Sequence, residues 1–153
     1  MNRKFEDAAI YARRSTQISS GSADVAAFAC FTLAFTGYAE EAVTHGERAI
    51  DLSPNCPPFY LGHLGNAYRL AGRFEDAIAA FEAYHARHAG FGLADLVIVY
   101  QLIDQPGKAK RTAKQLMGIR RDFTVANWAK TQIRTDEEGL EADIAALRAA
   151  GLS

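Results

Sequence analysis

The sequence predicts an all-α fold built from a repeated pair of antiparallel helices, and three observations predict it. A small residue returns at Ala8, Ala42, Ala77 and Ala109, at intervals of 34, 35 and 32 residues. Four residues beyond each stand Ala12, Gly46, Phe81 and Ala113, while a second register holds Leu33, Tyr68 and Tyr100 with Ala29, Leu64 and Leu96 before them. The tetrapeptide Phe5-Glu6-Asp7-Ala8 recurs letter for letter as Phe74-Glu75-Asp76-Ala77. Within each segment the apolar residues fall three and four apart, which places them on one stripe of a 3.6-residue period. A unit of two such helices cannot bury its apolar face alone, so neighbouring copies must stack.

The central copy, residues 58–91, shows the logic most fully. Leu64, Gly65 and Tyr68 share one face of its first helix, and Ala77, Ile78, Phe81 and Tyr84 share one face of its second. Gly65 and Ala77 are small where two helices approach, and Tyr68 and Phe81 fill the space beside them. Gly72 ends the first helix, since glycine adopts the left-handed cap without a side-chain clash. Leu-Gly, Tyr, Gly, Ala and an aromatic residue in this order, over a period of roughly 34 residues, resemble a tetratricopeptide repeat. The resemblance implies a right-handed α-α superhelix, the tetratricopeptide solenoid, of about three helix pairs with a leading half repeat and a C-terminal capping helix.

Taken in order, residues 3–18 form a helix of the second-in-pair type whose first-in-pair partner is missing. Phe5, Ala8, Ala9, Ala12 and Ile10 then lack a covering surface, and the chain reads as starting inside a longer array. Ser19-Ser20-Gly21-Ser22 makes a turn with Ser22 as N-cap. Helices over 23–36 and 39–52 follow, stopped at Leu52-Ser53-Pro54; Pro57-Pro58 opens the central pair, where a missing N–H costs nothing. A third pair runs over 91–103 and 106–118. Thr124 caps a short helix carrying Val125, Trp128 and Ala129. Thr135-Asp-Glu-Glu138 is a capping box that starts a helix over 136–149, with Leu140, Ile144 and Leu147 as its apolar stripe. The chain thus reads as a single domain over 1–153: half repeat 3–18, repeats 23–56, 58–91 and 91–121, and cap 122–153.

Composition narrows the function. Apolar residues make up 49% of the chain and prolines are few, which suits packed helices rather than disorder. No apolar run approaches the roughly 20 residues of a membrane span, and the charged start is not a signal peptide. Two cysteines are too few for a disulfide framework; Cys30 shares a small-residue column with Gly65 and Val97 and reads as a buried thiol in a cytoplasmic protein. A net charge of −1 exerts no general pull on nucleic acid or anionic membrane.

The tail carries a second resemblance. Asp122-Phe-Thr-Val-Ala-Asn-Trp128, then Asp136-Glu-Glu-Gly-Leu140-Glu and Ile144-Ala-Ala-Leu-Arg148-Ala-Ala-Gly-Leu152, resemble the end of bacterial proteins in which a class III adenylate/guanylate cyclase or winged-helix domain precedes tetratricopeptide repeats. Leu-Ser-Pro-Asn55 and Gly72-Arg-Phe-Glu-Asp-Ala77 fit that group too, whereas the proline usual before its last helix is missing from Arg134-Thr-Asp-Glu-Glu138. The resemblance implies a regulatory or scaffolding role beside such a domain. It carries over no catalytic residue, because nothing here matches the paired aspartates of the cyclase domain.

No catalytic constellation, phosphate-cradling loop or cofactor motif is present in the sequence. His85 and His88 lie three apart on one helix without a third ligand from a fixed neighbour, so no metal site is assigned. His45 and His63 are isolated. Lys108, Lys110, Arg111, Lys114, Arg120 and Arg121 trace the outward stripe of a surface helix; a patch for an acidic or phosphate-bearing partner is the alternative. Such arrays line a concave face with the first helix of each pair. Positions turned outward there give Asp24, Ala27, Phe31 and Ala34, then Phe59, Gly62, Asn66 and Arg69, then Phe91, Ala94, Ile98 and Gln101. From these, Phe31, Phe59, Phe91 and Ile98 form an apolar strip, and Asn66, Arg69 and Gln101 supply hydrogen bonds that set direction, the mixture that a helix or extended peptide needs. The aromatic residues could equally pack between repeats. The lysines of a carboxylate clamp are missing. The reading is therefore a non-catalytic, cytoplasmic protein-interaction module, with homo-oligomerisation through residues 3–18 as its alternative.

Overall fold

A computed structural model of the chain describes residues 3–134 and 136–153. All regular structure among the described residues is helical: α1 (Arg3–Ile18), α2 (Ala23–Phe35), α3 (Ala39–Leu52), α4 (Phe59–Leu70), α5 (Phe74–Arg87), α6 (Leu93–Leu102), α7 (Pro106–Ile119), α8 (Val125–Lys130) and α9 (Glu137–Ala149). No described helix is long and apolar enough to cross a membrane. The chain divides into two compact units, residues 1–80 and 81–153, with the division inside α5.

The repeat predicted from sequence is visible in how the hairpins turn. After α2, α4 and α6 the backbone passes through a positive φ at Gly37, Gly72 and Asp104, with values of 96°, 76° and 57°. The next residue's N–H then reaches back to the carbonyl of the aromatic or leucine column: Tyr38 to Leu33 at 2.9 Å, Arg73 to Tyr68 at 2.8 Å and Gln105 to Tyr100 at 2.8 Å. Three turns with the same six-to-one bond mean that each first helix is closed by one motif, whose left-handed residue costs glycine nothing. Asp104 fills the third position because aspartate is among the few other residues that tolerate this conformation.

In the first unit, α3 runs against both α2 and α4. Gly46 makes this possible, since a Cβ there would lie 2.8 Å from both Cys30 Sγ and Leu64 Cδ1. Cys30 is fully buried, and burial pushes its thiol up to about 12, so it is an inert packing residue as the sequence predicts. Ser22 caps α2 by accepting from the Val25 N–H at 3.3 Å. The leading helix is better covered than its missing partner implies. Ala9 is fully buried in the core that includes Ala29, Leu33 and Ala42, while Phe5, Ala8 and Ala12 are half-buried and Ile10 is exposed. The reason is that α2 itself packs on α1. Arg13 ties α1 to α3 through a two-pronged bond to Glu41, at 2.9 and 2.8 Å.

In the second unit, α6 packs against both α7 and α9. Thr124 caps α8 by accepting from the Asn127 N–H at 3.1 Å, as expected, and the Val125 N–H donates to the Ser153 carbonyl at 2.7 Å. The capping box expected to begin at Thr135 falls outside the described residues; Asp136 caps α9 by accepting from the Gly139 N–H at 2.8 Å. Leu147 is fully buried and Leu140 and Ile144 are half-buried, which orients the predicted apolar stripe inward. Beside it Arg134 and Asp143 form a buried ion pair, their side chains only 4% and 6% exposed.

Candidate functional site

On the first unit, α2 and α4 lie side by side and present a cluster of rings. Phe31 and Phe59, both expected on this face, are half-buried and flank His63, with ring centroids 4.9 and 5.3 Å from it. Phe28 completes the cluster at 6.0 Å from Phe59 and from His63, and it is 55% exposed. Sequence reasoning passed over Phe28, and it read His63 as an isolated histidine, whereas the structure sets it half-buried among the rings. The available signal was α2 itself: Ala-Asp-Val-Ala-Ala-Phe-Ala-Cys-Phe-Thr-Leu-Ala-Phe is apolar nearly all round, so its polar side gives no guide to the exposed one.

His63 is held by Ala27. Nδ1 stands 3.2 Å from the Ala27 carbonyl, which can only accept, so Nδ1 carries the proton of the neutral ring. Burial among the phenylalanines holds its pKa below the usual histidine value, against the smaller opposing effect of the bond to Ala27. The cluster is therefore an uncharged, apolar surface at neutral pH. Below it, Phe59, His63, Asn66 and Arg69 follow one another along a face of α4. The Asn66 side-chain N–H donates to the Gly62 carbonyl at 3.1 Å, and Arg69 Nη2 donates to Asn66 Oδ1 at 3.2 Å. Tyr60, one step round the helix, donates its hydroxyl to Asp24, and burial and that carboxylate raise its pKa to about 12.

Several positions expected to face outward do not. Ala27, Ala34 and Ala94 are buried, as is Gly62, because the outward stripe of a first helix is also where neighbouring elements meet it. Arg69 is 5% exposed, so it belongs to the structure more than to a free surface. Ile98 has no exposed surface at all. It cannot anchor a partner: α6 is apolar on every side and is covered by both α7 and α9. Gln101 is half-buried.

Phe91 is half-buried on the second unit and lines an open cavity of about 410 Å3 with Tyr84, Asp95, Arg120, Asn127 and Trp128. Its ring stacks on His88 at 3.9 Å and receives the Arg120 guanidinium at 5.1 Å. His85 turns elsewhere: its Nδ1 accepts from the Gly90 N–H at 3.0 Å and its Nε2 faces the Gln115 amide at 3.1 Å, so the two histidines do not converge. Of the basic segment, Lys108, Lys110, Arg111, Lys114 and Arg121 are exposed, and Lys108 lies 5.5 Å from the centre of the Tyr100 ring.

Stacked helix pairs closed by one recurring turn define an all-α array of the tetratricopeptide type. Solved structures agree. A crystal structure of MamA aligns over 95% of this chain and 86% of its own, with a TM-score of 0.68 at 15% identity. A second crystal structure of MamA protein aligns over 96% and 81%, with a TM-score of 0.67 at 15% identity. At that identity the likeness speaks to the fold alone. No protein-family model matches the sequence, and no curated protein matches it.

Proposed function

We propose that this chain is a non-catalytic protein-interaction module whose whole length forms one repeat domain. The first unit takes an apolar anchor of its partner on the ring cluster of Phe28, Phe31 and Phe59. The observation that carries this reading is an exposed phenylalanine beside two half-buried ones on adjoining first helices, where folding alone offers no reason to leave aromatic surface in water. Aromatic residues and arginine dominate the energetics of such surfaces. Asn66 sets direction beside these anchors and Arg69 acts by holding Asn66; on the other unit, taken by itself, Phe91 and Gln101 offer a second contact. The signalling context, a cytoplasmic chain working beside a class III cyclase or a winged-helix domain, rests on the tail over 122–152 and on nothing in the fold.

Selection of displayed peptides on the folded chain tests the reading. Selected peptides should carry an aliphatic or aromatic anchor, and their affinity by fluorescence anisotropy should fall at least about tenfold in Phe28→Ala and in Phe59→Ala, a loss of about 1.4 kcal/mol. Peptides that bind these variants as well as they bind the parent chain would remove the ring cluster from the binding surface.

A further inference from the structure

Six of the chain's 17 lysines and arginines fall within residues 108–121, and no acidic residue stands between Asp104 and Asp122, in a chain of net charge −1. Helix physics does not ask for this. Helices α3, α5 and α9 each begin with two acids, which the positive end of the helix dipole favours, whereas α7 begins Pro106-Gly107-Lys108. Ion pairing does not account for it either. Among the described residues no carboxylate pairs with Lys108, Lys110, Arg111 or Lys114.

Within the second unit, part of this charge is gathered at a cavity. Lys108, Arg111 and Gln115 follow one another at intervals of three and four, so they share a face of α7. With Glu82 and His85 of α5 and Tyr100 of α6 they line an open cavity of about 410 Å3, which Lys110 and Lys114 do not line. Lys108 is placed over the Tyr100 ring, its Nζ 5.5 Å from the centre. The Gly90 N–H occupies His85 Nδ1 at 3.0 Å, so Nε2, 3.1 Å from the Gln115 amide, carries the proton of the neutral ring. Glu82 accepts from the Tyr100 hydroxyl at 3.4 Å and pairs with neither cation.

Two cations, an imidazole N–H and a side-chain amide thus surround one cavity, and the one carboxylate among its described lining residues is engaged by a hydroxyl. That set suits an oxyanion. Glu82 decides what carries it. Its exposed carboxylate can accept a peptide N–H but repels a continuous phosphate backbone, and Tyr100, 8% exposed, offers no open ring on which a base could stack. We propose that this cavity binds an acidic peptide, with the carboxylate or phosphate of one side chain held by Lys108 and Arg111. The site shares no residue with the ring cluster or with the Phe91 contact, so it stands or falls apart from that reading.

Amide NMR spectra of the full chain, titrated at constant ionic strength, test it. The probes are three acetylated and amidated glycine-alanine pentapeptides with phosphoserine, glutamate or serine at the centre. The two anionic peptides should give saturable shifts at the Gln115 side-chain amide and the Gly90 N–H, and the serine peptide none. Tighter binding of phosphoserine assigns the site to a phosphorylated peptide and tighter binding of glutamate to a carboxylate-rich one; either supports the proposal. Lys108→Gln and Arg111→Gln should each weaken binding at least about fivefold, and Lys110→Gln by less than about twofold. Circular dichroism melts separate lost binding from lost folding. No saturation by either anionic peptide at about 10 mM overturns the proposal. So does a loss in Lys110→Gln equal to that in Arg111→Gln, which would make α7 a diffuse basic face. Tighter binding of a single-stranded oligothymidine than of either anionic peptide overturns it too, in favour of nucleic acid.

Discussion

Helices α4 and α6 are the first helices of successive pairs, and the same columns run through both. On α4 the column holds Asn66, half-buried, whose side-chain amide returns to its own helix at Gly62. On α6 it holds Ile98, without exposed surface, on a helix that packs against both α7 and α9. Equivalent positions therefore do unequal work. A column in a repeat specifies where a residue sits on its helix, but burial depends on what lies over it, and α9 changes that for α6 alone within its unit.

Three experiments press on this contrast. The largest effect is expected from Asp143→Ala in α9. It leaves the Arg134 guanidinium, 4% exposed, without its buried carboxylate, and breaking such a pair typically costs about 3–5 kcal/mol. Urea unfolding should show that loss. A change below about 1 kcal/mol would mean that the pair is solvated and that α9 is held by its apolar stripe alone.

Next comes the matched pair Ile98→Ala and Asn66→Ala. The first opens a cavity under α6 and should cost about 2–5 kcal/mol. The second removes side-chain bonds on a half-buried face and should cost about 1 kcal/mol or less. Equal losses in thermal and urea melts would erase the difference between the two helices.

The smallest effect concerns pH. His63 has a folded pKa below its unfolded value because burial disfavours the imidazolium. The unfolded chain takes up a proton at that ring below about pH 6.5, and the folded chain resists it, so stability is full above that value and falls as the solution is acidified. His45 on α3 is depressed for the same first reason and adds to the slope in the same direction. Urea midpoints at neutral and mildly acidic pH should diverge more for wild type than for His63→Gln. An identical acid slope in the two proteins would place the charge-sensitive step elsewhere.

Much of the fold was legible because its signals are local. Ser22 and Thr124 cap helices by bonds to backbone N–H groups three residues on, and Gly72 turns the chain through its own φ. Such signals depend on a few adjacent residues, which the sequence displays in full. The face assignments fared less well for the opposite reason. Phe28 was missed on a helix apolar nearly all round, and Arg69 and Ile98 were placed outward by a periodicity that carries no information about the next layer. The Arg134–Asp143 pair was invisible as well: a charge nine residues from its partner, and outside the partner's helix, has no fixed spacing to betray it.

By itself the sequence determined the helix pairs, their turns and the small residues that let them touch, since helix propensity, capping and close approach are properties of short segments. Tertiary structure alone decided which stripe of each first helix remains open. Exposure is a relation between a residue and whatever covers it, and on α6 that cover comes from a helix roughly forty residues further along the chain.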